Sequence, residues 1–128
     1  MGEKKHVRAD FVPGHYQFVT DKGSSFEIGP SSAPYDYLLG ALSGCLFVTF
    51  VELAAKMRFS WEHISFDVDG EKRDDPPTTL KSLHITVQAT GVDNQKKFLK
   101  AFETASRYCS IYQTISQVSE MDYSVDFQ

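Results

Sequence analysis

Two cysteines are the side chains of this sequence best suited to chemistry. Cys45 and Cys109 lie 64 positions apart (109 minus 45), and each falls on the apolar side of a predicted helix. Two inward-facing positions in one small core can meet. A thiolate can attack the O–O bond of a peroxide, become a sulfenic acid and be captured by a second thiol as a disulfide. The alternative is a pair of inert buried thiols, since free cysteine is among the most buried residue types. Spacing alone leaves both interpretations open.

The redox interpretation requires a lowered thiol pKa, because the thiolate is the nucleophile and a dry environment alone raises that pKa. A cation or a hydrogen-bond donor must therefore lie close to the reactive sulfur. The candidate cations are Arg8, His15 and Arg107, the last only two residues before Cys109. Each is better explained as an ordinary surface charge than as a catalytic group, since arginine side chains are mostly exposed.

A long helix is predicted over residues 34–57, and Cys45 lies near its middle. Between residues 38 and 51 only two side chains are polar, so the helix is apolar nearly all round and should be enclosed by protein on every side. Pro34 suits the first helical position, and Asp36 then lies in the first turn near the positive end of the helix dipole. We predict that this is the central core helix.

Gly40 and Gly44 bare one side of this helix beside Cys45, which lets another backbone approach closely. A membrane span needs about 20 apolar residues. This run is shorter and is closed by Glu52 and Lys56. We therefore predict a buried helix and no membrane partner.

Alternation of apolar and polar residues predicts strands on both sides of the helix, with turn residues between them. Helical spacing of apolar residues predicts two further helices, the first with Asp93 as its N-cap and Cys109 closing its apolar stripe. The predicted strands cover residues 7–11, 16–18, 25–28, 64–68, 83–89 and 123–127, and the last helix covers 111–118 with Ile111, Ile115 and Val118 facing inward.

This order of elements indicates an α+β fold in a single domain of residues 1–128, with antiparallel sheets wrapped around the long central helix. A helix that is apolar all round and has a two-glycine seam is hard to enclose with so few strands. We therefore expect an intertwined homodimer in which the central helices pack across the interface and the sheets lie outside.

The composition excludes several classes of function. The net charge of −4 lacks the basic excess that phosphate-backbone binding favours, so no nucleic acid is expected as a partner. Residues 1–10 are polar and contain no apolar segment of a secretory signal, which favours a cytoplasmic protein. The four histidines show no metal-ligand spacing with each other or with the cysteines, so neither a metal nor another cofactor is expected.

Two sequence blocks resemble a known family. They are PYDYLLGALSGC at residues 34–45 and SRYCSI at residues 106–111. Together with the element order they resemble the OsmC/Ohr family of osmotically inducible and organic hydroperoxide resistance proteins, and more closely its OsmC-like branch. The resemblance covers nearly the whole chain. It implies an intertwined homodimer with active sites at the subunit interface.

The resemblance also implies a thiol-dependent peroxidase that reduces organic hydroperoxides in the oxidative stress response. Cys45 would be the peroxidatic thiol and Cys109 the resolving thiol, with a small or lipoyl dithiol as the reductant. In many relatives a proline follows the second cysteine, whereas this chain has Ser110.

The chain departs from the family's pattern at two further positions. The family's peroxidases have an acid directly after the helix-starting proline, where this chain has Tyr35 and then Asp36, so the resemblance makes Asp36 the candidate for the catalytic acid, displaced by one position. They also have an arginine in the early strands, whereas no arginine lies between Asp10 and Asp36 here. Arg8 and Arg107 are the candidates to replace it. These departures favour the alternative function, a non-catalytic OsmC-like module that binds a hydrophobic small molecule.

Overall fold

The computed structural model describes residues 2–128 and contains two compact units. The first unit ends at Leu38, and the second runs from Leu39 to Gln128. Strands and helices alternate in blocks along the chain, so the predicted α+β class is confirmed. The prediction that residues 1–128 form a single domain stays a prediction.

Three strands form an antiparallel meander in the first unit: β1 (Val7–Val12), β2 (His15–Thr20) and β3 (Ser25–Ile28). Their order in the sheet is β1-β2-β3, as the alternation predicts. Gly14 and Gly23 lie in the two turns with φ of 81° and 92°, a conformation that glycine adopts without steric cost. The turn residues therefore fix where each strand ends.

An aromatic cluster joins this sheet to the beginning of the long helix. The rings of Phe18 and Phe26 stack with centroids 5.2 Å apart, and Tyr37 meets Phe18 edge-on at 5.1 Å. Tyr37 also donates a hydrogen bond from its hydroxyl to the backbone carbonyl of Glu27. Much of the remaining apolar surface of the sheet, such as Phe11, is exposed within the chain.

The long helix α1 covers Pro34–Met57, the predicted bounds. Pro34 is its first residue, where the missing N–H costs nothing. The Asp36 carboxylate accepts a hydrogen bond from the N–H of Ala33 at 2.9 Å, as the acidic residue of a capping box does. The side chains that α1 buries recur every four residues: Leu42, Leu46, Phe50 and Ala54.

One face of α1 is not enclosed, so the expectation of protein on every side is wrong for the single chain. Val48 is 59% exposed, and a Cβ built on Gly44 would meet no described side chain within 4 Å. Only 22% of the most apolar 18-residue window of α1 is buried. By length and composition α1 could cross a membrane, a test that the core helix of a soluble protein also passes. An exposed apolar helix face of this kind is typical of an interaction site.

Three strands form the sheet of the second unit: β4 (His63–Lys72), β5 (Leu80–Thr90) and β6 (Glu120–Phe127). β4 and β5 pair antiparallel as predicted, whereas β6 runs parallel to β5, so this sheet is mixed and not wholly antiparallel. The chain passes through two helices between β5 and β6, and such a crossover brings it back to the same end of the sheet. The central strand β5 supplies the buried row Leu83, Ile85, Val87 and Ala89.

Two helices lie between β5 and β6: α2 (Gln95–Tyr108) and α3 (Ser110–Ser116). The N-cap of α2 is Asn94 and not the predicted Asp93. The Asn94 side chain accepts a hydrogen bond from the N–H of Lys97 at 3.0 Å, while the Asp93 carboxylate accepts one from the N–H of Ser60 at 2.9 Å. Both side chains thus accept a hydrogen bond, but only Asn94 caps the beginning of α2.

The buried stripe of α2 packs on α1. The ring centroid of Phe50 lies 4.7 Å from that of Phe98 and 6.0 Å from that of Phe102. Ile115 of α3 is buried as predicted, but Val118 follows the helix and is 66% exposed. The last predicted inward position is therefore wrong, because α3 ends before it.

Candidate functional site

The structure brings the two cysteines into contact. Cys45 lies in the middle of α1 and is half-buried, whereas Cys109 is fully buried between α2 and α3. The sulfur atoms are 3.1 Å apart, with the Cys109 thiol donating a hydrogen bond to the Cys45 sulfur. Both thiols are free. A disulfide needs sulfur atoms about 2.05 Å apart, so a small local movement would join them.

Cys109 is the residue at which two helices meet. Its backbone is extended, with φ −69° and ψ 114°, and its N–H still donates to the carbonyl of Ala105 at 2.8 Å. Its sulfur accepts a hydrogen bond from the N–H of Tyr112 at 3.4 Å. Cys109 therefore ends α2 and caps the N-terminus of α3, in the role that serine or aspartate usually plays.

The surroundings of the Cys45 thiol lower its pKa. Burial raises its pKa, but hydrogen bonds from the backbone of Ile111, from the Cys109 thiol and from the hydroxyl and backbone of Ser110 outweigh that effect. The net result is a pKa below the ordinary value for cysteine. The first residues of α3 thus supply the donors that a reactive sulfur requires.

The surroundings of the Cys109 thiol raise its pKa. Burial and the neighbouring Cys45 sulfur raise its pKa, the N–H of Tyr112 opposes the rise, and the net pKa is about 11. At neutral pH the pair therefore consists of a Cys45 sulfur that ionises first and a Cys109 thiol that keeps its proton. This asymmetry matches an attacking thiolate beside a resolving thiol.

Each candidate cation from the sequence is paired with a carboxylate. Arg107 lies 3.8 Å from Glu103 on the exposed side of α2, four residues along the same helix. In the first unit, Arg8 lies 3.3 Å from Asp10 and His15 lies 3.6 Å from Glu27. The hydrogen bonds that lower the Cys45 pKa come instead from Ser110, Ile111 and Cys109. A catalytic role for Arg8 or Arg107 stays a prediction.

Asp36 serves the beginning of α1. Its carboxylate accepts from the N–H of Ala33, and the backbone N–H of Asp36 donates to the Ala33 carbonyl at 2.9 Å. This contact is the helix first-turn role that the sequence also suggested. A catalytic role for Asp36 stays a prediction.

The sequence did not indicate that Ser110 and Ile111 would lower the pKa of Cys45. The available signal was the position of Ser110 directly after the cysteine that closes the apolar stripe of α2. A helix that ends at a cysteine and is followed at once by another helix presents unpaired N–H groups at that cysteine. The sequence alone did not show that Cys45 would lie against them.

An apolar groove of about 300 Å³ lies on another side of α1. Phe47 is two positions beyond Cys45, which places it about 200° around the helix. The groove therefore opens away from the thiols, and Phe47 faces the groove and not the Cys45 sulfur. Its lining residues are Ser43, Gly44, Phe47, Ile64 and Phe66.

No group of three or more histidine, cysteine or acidic side chains within residues 2–128 is arranged to hold a metal ion.

A family model described as OsmC-like protein matches residues 28–124 of this chain. The match includes both cysteines, all of α1 and the break between α2 and α3. No curated protein sequence matches the chain.

Solved structures share the fold over nearly the whole chain. A hypothetical protein from Aquifex aeolicus is 20% identical, with 99% of each chain covered and a TM-score of 0.84. An OsmC like protein from Mycoplasma pneumoniae is 15% identical, with 99% of each chain covered and a TM-score of 0.86. The organic hydroperoxide resistance protein OhrB of Bacillus subtilis is 13% identical over 97% of this chain and 98% of that chain, with a TM-score of 0.70. At these identities the likeness shows the fold alone.

Proposed function

Since this chain belongs to the OsmC-like protein family, we propose that it is a thiol-dependent peroxidase that reduces organic hydroperoxides at the expense of a dithiol. One observation carries the proposal. The Cys45 and Cys109 sulfurs lie 3.1 Å apart, and their pKa values are shifted in opposite directions. The name of the Bacillus subtilis structure, an organic hydroperoxide resistance protein, supports the choice of substrate class.

The reaction begins at Cys45. Its thiolate attacks the terminal oxygen of ROOH, the O–O bond breaks, and the departing alkoxide takes a proton to leave as an alcohol. Cys45 is then a sulfenic acid, oxidised by two electrons. Because this half of the reaction needs the thiolate, the lowered pKa of Cys45 increases its rate at neutral pH.

Cys109 completes the oxidative half. Its sulfur attacks the Cys45 sulfur, the S–O bond breaks, and the hydroxide leaves with the proton of the Cys109 thiol as water. A pKa of about 11 keeps that proton on Cys109 until it is needed. An external dithiol then returns two electrons and two protons to the disulfide, so one hydroperoxide and one dithiol give alcohol, water and an oxidised dithiol.

A second copy of the chain is the proposed occupant of the bare face of α1. This face carries small residues at helical spacing, Ala41, Gly44, Val48 and Ala55, all exposed in the single chain. Small residues let two helix backbones approach closely. The opposite face of α1 is already packed on α2 within the chain, which a lipid-exposed helix would not require. We therefore propose a homodimer in the cytoplasm, where a dithiol pool keeps thiols reduced.

Peroxide consumption tests the enzymatic proposal. Reduced protein is mixed with cumene hydroperoxide and a dithiol, and peroxide loss is followed for the wild type and for Cys45→Ser. We expect rapid loss with the wild type and background loss with the variant. Ser43→Ala is the matched control on the same helix, because the Ser43 hydroxyl donates to the Leu39 carbonyl at 3.0 Å. Equal background loss for the wild type and Cys45→Ser would refute the peroxidase.

The oligomeric state tests the homodimer. Light scattering should give the mass of two chains for the wild type and of one chain for Val48→Asp, because a carboxylate in an apolar interface is costly. Val118→Asp makes the same substitution at a residue outside α1 that is 66% exposed, and it should leave the mass unchanged. A wild-type mass of one chain would refute the dimer.

The apolar groove beside Gly44 and Phe47 favours a second function, a non-catalytic module that binds a hydrophobic small molecule. An apolar fluorescent dye tests it. Binding that Phe47→Asp removes, in a protein that does not consume peroxide, would establish this alternative. A dye that binds neither the wild type nor Phe47→Asp would exclude the binding module.

A further inference from the structure

We propose that Ser124, His84 and Asp122 form a second catalytic site, which hydrolyses small esters that carry a positive charge. The site lies on the sheet of the second unit and uses neither cysteine. The proposal is therefore independent of the proposed peroxidase.

The three side chains share the face of the sheet that points away from α2. Tyr123 lies between Asp122 and Ser124 in the chain, and its ring packs on Phe102 of α2 with centroids 4.6 Å apart. Because side chains alternate between the two faces of a strand, Asp122 and Ser124 lie on the opposite face of β6. His84 of β5 is the register partner of Asp122, so it shares that face.

His84 contacts one of the other two side chains through each ring nitrogen. Its Nδ1 lies 2.5 Å from Oδ1 of Asp122, and its Nε2 lies 3.2 Å from Oγ of Ser124. A carboxylate only accepts hydrogen bonds, so Nδ1 carries the ring proton and Nε2 accepts the Ser124 hydroxyl. This is the order of contacts in a Ser-His-Asp triad, where the histidine is the base and the aspartate orients it.

A cavity of about 490 Å³ opens beside His84 and Asp122, a volume that suits a small molecule. Only one of its carboxylates has a lysine nearby, since Lys81 lies 4.0 Å from Glu71. Such a field attracts a cation and repels an anion. A positive charge on the substrate also offsets the repulsion between these carboxylates and a negatively charged intermediate. The carboxylates that line the cavity are Asp69, Glu71, Glu120 and Asp122.

The free edge of the sheet supplies a donor for the oxyanion. β6 is an edge strand, and the N–H of Gln128 donates to the carbonyl of Ala89 in β5 at 2.8 Å. Successive N–H groups of a strand point to opposite sides, so that of Ser124 points to β5 and that of Val125 to the free edge. The residue after a serine nucleophile supplies an oxyanion donor in the α/β-hydrolases. The Val125 N–H is the corresponding donor here.

The reaction follows from these positions. The Ser124 hydroxyl gives its proton to Nε2 of His84 as its oxygen attacks the ester carbonyl, and Asp122 stabilises the imidazolium that forms. The bond from the carbonyl carbon to the alkoxy oxygen then breaks, and the alcohol leaves with the proton from Nε2. Water attacks the acyl group on Ser124 in the same way, so one ester and one water give one acid and one alcohol.

Covalent labelling tests the nucleophile without a substrate. The protein is incubated with diisopropyl fluorophosphate, and the modified residue is identified by peptide mass spectrometry. We expect an adduct on Ser124, because its oxygen attacks phosphorus and fluoride leaves, and roughly 100-fold slower labelling in His84→Gln. Ser65 is the internal control and should stay unmodified, since it lies on the same face at the register position of Gln88. No adduct on Ser124, or an equal rate in a folded His84→Gln, would overturn the proposal.

Acetate release tests the substrate class. The parent protein is Cys45→Ser, which removes the reactive thiol, and the substrates are acetylcholine and its uncharged isostere 3,3-dimethylbutyl acetate. We expect Ser124→Ala to reduce hydrolysis to background and Ser65→Ala to leave it unchanged. The KM should be lower for acetylcholine, and this difference should shrink at high salt. Equal hydrolysis by the parent and Ser124→Ala would overturn the site, and equal KM values would overturn the choice of substrate.

The uncharged ester tests Asp122 as a positioning residue, because its binding does not depend on the charge of the carboxylate. Asp122→Asn should lower kcat by about tenfold or more and leave KM unchanged, with circular dichroism confirming the fold. An unchanged kcat would overturn the role of Asp122.

Discussion

Cys45 and Cys109 touch each other but belong to differently built regions. Cys45 lies within an unbroken helix, where every nearby backbone N–H of α1 is used by the helix itself. Cys109 lies at a break, where the backbone is extended and the next helix begins with free donors. The donors at the break lower the pKa of the sulfur that lies across from it, while the sulfur at the break is buried and stays protonated. Ionisation here depends on the balance between the burial of each sulfur and the hydrogen-bond donors that it receives.

The largest expected effect is the difference in reactivity between the two thiols. At pH 7 to 8, Cys45 should be alkylated on the order of 100-fold faster than Cys109, because a pKa of about 11 leaves little Cys109 thiolate while the Cys45 pKa lies below the ordinary value. Quantification of the two modified peptides over time measures the ratio. Comparable alkylation rates for Cys45 and Cys109 would contradict the opposite pKa shifts of the two thiols.

The next effect concerns the hydrogen bond between the sulfurs. Cys109→Ala removes the thiol that donates to Cys45, so the Cys45 pKa should rise and its alkylation at pH 7 should slow roughly three- to tenfold. Raising the pH should restore the rate, because thiolate becomes more abundant above the raised pKa. Cys109→Ser keeps a donor and is the matched control. A faster reaction in the alanine variant would contradict the proposed direction of the hydrogen bond.

A smaller effect is expected on stability. Cys109→Ala also removes the acceptor for the N–H of Tyr112, and loss of an N-cap costs about 1 kcal/mol. Cys109→Ser keeps an acceptor at that position. Urea unfolding should therefore show that the serine variant is more stable than the alanine variant by about that amount. Equal free energies of unfolding would mean that the sulfur does not act as a cap.

The smallest effect is expected at Arg107. Its pairing with Glu103 is exposed, and such a pair on a helix contributes about 0.3 to 0.5 kcal/mol. Arg107→Ala should leave the alkylation profile of Cys45 unchanged and change the free energy of unfolding by no more than that. Slower alkylation of Cys45 in this variant would show that Arg107 lowers the Cys45 pKa. Lys100→Ala on the same helix is the control for a general loss of positive charge.

Much of the fold could be predicted because local patterns determine it. The α1 helix begins at Pro34 and ends at Met57 as expected, since proline suits the first position and the apolar run is long. The OsmC/Ohr family assignment is confirmed by the match over residues 28–124. The direction of β6 was not predictable from alternation, because a strand has the same period whether its neighbour runs parallel or antiparallel.

The site was predicted only in part. The apolar stripes of α1 and α2 indicated that Cys45 and Cys109 face inward, and they meet. The same stripe continued through Cys109 and gave no sign of the extended backbone there, so the donors on Ser110 and Ile111 were missed. An arginine was predicted to lower the pKa of Cys45, whereas the groups that lower it are neutral donors on Ile111, Cys109 and Ser110.

The cap that Cys109 forms also links oxidation state to local order. The sulfur that accepts the N–H of Tyr112 is the one that would enter a disulfide with Cys45. A disulfide sulfur is a poorer acceptor than a thiol or thiolate, so we expect disulfide formation to loosen the first turn of α3. The exchange rate of the Tyr112 amide hydrogen would then differ between the reduced and the oxidised protein, so the seven-residue α3 would report the oxidation state of the two cysteines.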